Sequence, residues 1–262
     1  MDAQVTVLHS DDVGRKFIAV QNGLVDQVYQ HNLAFWKTRF NAEFTPEIKR
    51  QIVGDQSRGN SPYSAGTTQR LREIYADVSE TGEFSMLEIG GANGTAIERI
   101  ATRYPEPRIR YVGFECLPLL VEDFRKKHPG KTMHQGDIED FIRMDEAPFA
   151  DSRFTLLFAS VVFVMIKPDL VREALRKAAR LTDQFLIYDF MDHPVSDVPA
   201  DHSLVVQVAN RPVFWFPHTW ERYMSEVGFS IKDRQVTELT GPQRRAFDPQ
   251  LRGFGFLHAV RD

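Results

Sequence analysis

One stretch carries the strongest chemical signal in this 262-residue chain: Met86-Leu87-Glu88-Ile89-Gly90-Gly91-Ala92-Asn93-Gly94. A short apolar run ends at an acid, passes through glycines and leads into a segment with Ala96, Ile97 and Ile100 at helical spacing. Without a Cβ, Gly90 and Gly91 can take unusual dihedrals and let a ligand approach the backbone closely. A helix starting there directs unpaired N–H groups toward that ligand. The competing reading is a tight strand–helix turn that binds nothing. Two further acids weigh against it. Glu115 closes Tyr111-Val112-Gly113-Phe114-Glu115, 27 positions after Glu88, where a carboxylate can accept both hydroxyl hydrogens of a ribose. Asp137, in Gln135-Gly136-Asp137-Ile138, suits an adenine amino group, with Ile138 against the ring. Single acids after strands are common; three in order after successive strands are much less so.

The elements that position these residues alternate. Strands are expected over 84–89, 109–114, 131–134, 154–159 and 185–190, with helices between them, the clearest opening at Pro168 with Leu170, Ala174, Ala178 and Leu181 on its inner face. This alternation argues for a parallel sheet covered by helices on both faces. Residues 219–227 form a last helix closed by Gly228, and 229–239 and 254–260 read as two strands with no helix between them, hence an antiparallel pair. Residues 1–80 read as a helical extension. The spacing of Phe17, Val20, Leu24, Val28, Leu33, Trp36 and Phe40 predicts a helix over 16–40, and Thr45-Pro46 a short one ending near Gly54. A polar loop covers 55–66, and a further helix 67–78. Trp36 and Phe40 are candidates for a cover over an acceptor site, although aromatics at this spacing more often form plain core. Residues 199–217, with Phe214, Trp215 and Phe216, are candidates for another wall.

Composition narrows the classes. Hydrophobic residues at 42% and charged residues at 26% describe an ordinary globular chain, and a formal net charge of −4 supplies no global basic field for nucleic acid or an anionic membrane. The single cysteine, Cys116, rules out an intrachain disulfide and a multi-cysteine metal site. No apolar run approaches a membrane span and no apolar leader opens the chain, so the expectation is a soluble, cytoplasmic protein.

The ordered set resembles the class I S-adenosylmethionine-dependent methyltransferases. Glu88, Gly90 and Gly94 match that family's acid-x-Gly-x-x-x-Gly after its first strand, Glu115 its acid ending strand two, and Gly136-Asp137 the pair after strand three. Leu156 to Val162 look like its fourth strand and substrate-side turn, and Ser225-Glu226-Val227-Gly228-Phe229 like the approach to its terminal strands. The resemblance covers 81–262 and implies an α/β, Rossmann-like fold. Its sheet has seven strands, mostly parallel, with a terminal antiparallel pair. It implies S-adenosyl-L-methionine as cofactor. The backbone at Gly90 and Gly91, with Asn93 and Gly94, then lies near the methionine part and Glu88 near its amino group. Glu115 holds the ribose, Asp137 and Ile138 the adenine, Cys116 or Leu117 the opposite ring face; Ser160 and Tyr63 are further cofactor candidates. Ala159 departs from the polar residue many members carry at the end of strand four, which leaves the acceptor chemistry open.

The acceptor is expected to be a small molecule, with oxygen slightly favoured. Asp189, Asp192 and His193 follow the fifth strand on the right edge, and Asp192 with His193 are the candidate catalytic pair. His202 and His218 are weaker candidates, and no metal is expected. The alternatives are a nicotinamide-dependent oxidoreductase, an aminopropyl transferase and a non-catalytic binding or scaffold protein. The first needs Gly-x-Gly-x-x-Gly, and from Gly90 the third and sixth positions are Ala92 and Thr95. The second needs carboxylates after strand four, and Ala159-Ser160-Val161-Val162 has none.

Overall fold

A computed structural model describes residues 5–12, 14–42, 65–80, 82–146, 149, 153–191, 198–208, 213–237 and 253–262. The expected helix ending near Gly54, most of the 55–66 loop with Tyr63, and Asp192 and His193 lie outside the described residues. The chain opens with β1 (Val5–Ser10) antiparallel to β2 (Lys16–Gln21), then α1 (Asn22–Ala42). After α2 (Ala65–Ser79) come β3 (Phe84–Ile89), α3 (Thr95–Ala101), β4 (Ile109–Glu115), α4 (Pro118–Lys127), β5 (Thr132–Gln135) and α5 (Ile138–Arg143). The second half runs β6 (Leu156–Ser160), α6 (Pro168–Leu181), β7 (Gln184–Phe190), β8 (His202–Gln207), β9 (Phe214–Trp215), α7 (Trp220–Glu226), β10 (Phe229–Val236) and β11 (Phe254–Arg261).

The main sheet has the order β10-β11-β7-β6-β3-β4-β5. Strands β3 to β7 pair in parallel, whereas β11 lies antiparallel between β7 and β10. Successive residues of β3 enter opposite cores, as a two-sided strand requires. Leu87 and Ile89 meet Phe114, Leu157 and the Val171, Ala174 and Ala178 face of α6. Phe84 and Met86 meet Leu71 and Ile74 of α2, Ile97 and Ile100 of α3, and Phe124 of α4. Pro118 and Pro168 each open their helix in the first turn, and Gly228 follows α7 at φ 76, a left-handed stop that glycine adopts without strain.

The N-terminal extension departs from the sequence reading. The helix expected from residue 16 begins at Asn22, and residues 16–21 are β2, paired in unbroken register with β8 from Lys16↔Gln207 to Gln21↔His202. Phe17 and Val20 happen to fit helical spacing with Leu24 and Val28, and a partner strand far along the chain overrides that local pattern. A second, four-stranded antiparallel sheet results, ordered β1-β2-β8-β9. It sits beyond the carboxyl ends of the main strands: Trp215 contacts Phe190 at the end of β7 and Phe254 at the start of β11, with ring centroids 5.6 and 5.1 Å apart. Residues 199–217 therefore contribute strands to this second sheet. No helix among the described residues is long and apolar enough to cross a membrane.

Candidate functional site

At the carboxyl edge, the glycine turn after β3 is tied to the end of β4. Gly90 and Gly91 both donate their N–H groups to Phe114 O, at 2.9 and 3.1 Å. Ala92 N donates to Glu115 Oε2 at 3.0 Å, and Leu117 N to Glu115 Oε1 at 2.9 Å. Glu115 thus joins the two turns, and Cys116 donates to the same carboxylate through its thiol and its N–H. Burial raises its pKa while these backbone donors act to lower it. Gly90 and Gly94 adopt φ 72 and φ 93, the left-handed region. A Cβ at Gly90 would overlap Val162, and one at Gly91 would overlap Tyr111 Oη and Met133. Both glycines are therefore required by the chain's own packing, and contact with a ligand falls to their peptide groups.

The other candidates on this side have partners of their own. Glu88 is buried and accepts from Tyr111 Oη at 2.7 Å. Burial pushes its pKa up to about 8, against the Tyr111 bond and the charge of Arg99. The fully buried Asn93 donates to Asp123 Oδ2 at 2.8 Å, which fixes the glycine turn to α4. Asp137 caps α5: its Oδ1 accepts the N–H groups of Glu139 and Asp140 at 3.1 and 3.3 Å, and Asp140 returns a bond to Asp137 N. Its Oδ2 lies 3.1 Å from Lys37 Nζ of α1. Ile138 is buried in the core below. Cys116 packs with Ala92 and Trp36 against Leu117 and Leu120, and burial pushes its thiol up to about 12, so it stays protonated.

Toward β6 and β7 the edge is built from distant side chains. Ser160 ends β6; Val161 follows at φ 56, a strained value for a β-branched residue, with its N–H on Tyr188 O at 2.7 Å. The next residues, Phe163 to Met165, form a single 3₁₀ turn gripped from several directions. Asp189 Oδ2 accepts Val164 N at 3.0 Å while its Oδ1 accepts Phe190 N at 2.7 Å. His218 Nε2 donates to Phe163 O at 2.8 Å, and Phe216 N to Val164 O at 2.7 Å. Asn32 of α1 donates to Phe214 O at 2.6 Å and Met165 O at 3.4 Å, and accepts from Phe214 N at 3.0 Å. Burial pushes Asp189 up to about 7, opposed by its backbone donors. The turn is over-determined, as a strained residue needs, and it carries Val162 onto Gly90. Among the described residues no group of three His, Cys, Asp or Glu side chains converges on a metal position.

No family model and no curated protein matches the sequence. Solved structures match its fold. Magnesium protoporphyrin IX methyltransferase from Synechocystis PCC 6803, with bound SAM, superposes with a TM-score of 0.56 at 12% identity, covering 88% of this chain and 97% of that one. The plantazolicin methyltransferase BamL, in complex with a triazolic desmethylPZN analog and SAH, gives 0.55 at 13% identity over 91% and 98% of the two chains. A SAM-bound amino pentose methyltransferase from Micromonospora echinaspora gives 0.53 at 16%, over 81% and 96%. The fold is that of the class I S-adenosylmethionine-dependent methyltransferases.

Within this methyltransferase fold, the turns bearing Glu88, Gly90, Gly91, Asn93, Gly94, Glu115 and Cys116 converge at one edge, with Asp137 and Ile138 beside them across β5 and Ser160 across β6. Trp36, a candidate for either a cover or plain core, shares an apolar cluster with the turn after Glu115. Sequence reasoning missed Lys37, Asn32 and the anchoring role of Asp189 and His218. An acid inside the apolar run Phe185-Leu186-Ile187-Tyr188-Asp189-Phe190 is itself a usable signal, since a buried carboxylate must find donors. Asn32 and Lys37 sit in a helix with nothing in its spacing to mark them.

Proposed function

We propose that this protein transfers a methyl group from S-adenosyl-L-methionine to a small-molecule acceptor, an oxygen acceptor being favoured. The observation that carries the reading is Glu115, held between the glycine turn and the β4 turn by Ala92 N and Leu117 N. A carboxylate at the end of the second parallel strand, beside a glycine turn, suits the two hydroxyls of a ribose, which an adenosyl cofactor carries. The glycine sequence lacks the dinucleotide fingerprint, and the turn after β6 offers no carboxylate for a polyamine, which weighs against the other two enzyme classes.

Bound there, the cofactor supplies an electrophilic methyl on a sulfonium. The chain's task is to place the acceptor in line with it. Orientation of this kind is worth up to about 7–11 kcal/mol, and the clamped turn from Ser160 to Met165 is the rigid element beside the glycine turn that can provide it. Helix α1 and the second sheet lie beyond the carboxyl ends of the main strands, a placement that favours a small acceptor over a polymer. Asp189 and His218 hold backbone rather than substrate, so a hydroxyl acceptor's proton is assigned to His193, with Asp192 beside it in sequence. The test is incubation with S-adenosylmethionine and a panel of small hydroxyl, amine and carbon acceptors, read by mass spectrometry. Gain of one CH₂ on an acceptor with matching S-adenosylhomocysteine supports the reading. Release of S-adenosylhomocysteine with no acceptor consumed, or no turnover with any acceptor class, counts against it.

A further inference from the structure

Helix α1 crosses the carboxyl edge from the acceptor side to the nucleoside side. At its middle Asn32 is bonded to the 3₁₀ turn and β9, and Val25, Tyr29 and Asn32 are buried. One turn later Trp36 packs, with Ala92 and Cys116, against Leu117 and Leu120, the residues that follow Glu115. The next residue, Lys37, places its ammonium 3.1 Å from Asp137 Oδ2. Its charge also acts on Cys116, which puts it between the two turns that the proposed function assigns to the nucleoside. Asp137 Oδ1 is already occupied by the N–H groups of α5, so Oδ2 is the oxygen for which Lys37 and an incoming donor would compete.

We propose that Lys37 is a built-in competitor for the nucleoside site: its ammonium stands in for the adenine amino group on Asp137, and an adenosyl ligand must displace it to bind. This rests on the proposed function, from which it takes the identity of the ligand. The displacement is local. The part of α1 up to Asn32 is anchored in the core, whereas Lys37 is 44% exposed at its side chain and can swing into solvent without undocking the helix. Lys37 also answers a local excess of acid, because Glu139 and Asp140 lie beside Asp137 at the α5 N-terminus. Neutralising that cluster is a stabilising role, whereas competing with a ligand is an inhibitory one, and the two predict opposite results. Exposed ion pairs contribute modestly, so the expected effect is about two- to fivefold in affinity.

The probe is S-adenosylhomocysteine, which carries no net charge at neutral pH and so is little affected by salt on its own account. Calorimetry on the full chain compares wild type with Lys37→Gln and Lys37→Arg, each checked by thermal denaturation. Competition predicts that Lys37→Gln binds the probe about two- to fivefold more tightly at low salt. Lys37→Arg restores the wild-type affinity, and added salt tightens wild type toward the glutamine variant by screening the pair. The S-inosyl analogue, which has no exocyclic amino group, gains less from the substitution. Unchanged or weaker binding by Lys37→Gln overturns the inference, as does an equal gain for both probes; if that variant does not fold, the salt dependence of wild type decides alone. Failure of wild type to bind S-adenosylhomocysteine under any condition counts instead against the proposed function.

Discussion

The two halves of the carboxyl edge are made by different means. From β3 to β5 the site is local: a glycine turn, an acid at a strand end and a capped helix, each formed by residues close in sequence and joined through Glu115. From β6 to β7 it is assembled from afar, with Asn32 reaching Phe214 across 182 positions and His218 reaching Phe163 across 55. On the proposed function, the β3–β5 side meets an invariant nucleoside and can be made from short backbone motifs. The β6–β7 side would then fit one particular acceptor, and its shape depends on long-range bonds to a single strained turn. Cofactor recognition and acceptor placement should therefore fail separately.

The largest expected break is Glu115→Ala. Losing a charged hydrogen-bond partner costs about 1.5–3 kcal/mol, roughly ten- to hundredfold in cofactor affinity. The variant also leaves Ala92 N and Leu117 N without their acceptor, so a drop in thermal stability should accompany the loss, measured by calorimetry and melting. Unchanged affinity would remove Glu115 from the site.

Asp189→Asn breaks the other half. An amide cannot accept at both oxygen positions, so the donors at Val164 and Phe190 are no longer both satisfied, at a cost of about 1–3 kcal/mol in stability. Turnover should fall while S-adenosylhomocysteine affinity stays within about twofold of wild type, the ratio expected when the acceptor side alone is disturbed. An equal loss of cofactor affinity would merge the two halves.

A smaller effect concerns pH. Burial raises Glu88 from 4.5 to about 8 and Asp189 from 3.8 to about 7. Across those windows the native state keeps protons that the unfolded chain has released. Each group therefore makes stability fall as pH rises, most steeply by about 1.4 kcal/mol per pH unit, and the loss is complete above the folded value. Chemical denaturation between pH 5 and about 8 should show this decline. Glu88→Gln, which keeps an acceptor for Tyr111, should flatten it; a decline of unchanged slope would refute the shift.

What could be read in the sequence follows the same division. The glycine turn, the acids at strand ends and the closing strand pair were legible because each depends on near neighbours. Strand β2 was not: Asn22-Gly23 marks the break at the start of α1, but Phe17 and Val20 continue the helical spacing across it, and the partner β8 lies far along the chain. Asn32 and Lys37 matter through what the fold brings to them, and a helix's own spacing carries no trace of that.

The most direct test of the account is calorimetric titration of the wild-type chain with S-adenosylhomocysteine and, separately, with NADH. The account predicts saturable one-to-one binding of the first and none of the second. Saturable binding of NADH with no response to S-adenosylhomocysteine would contradict it.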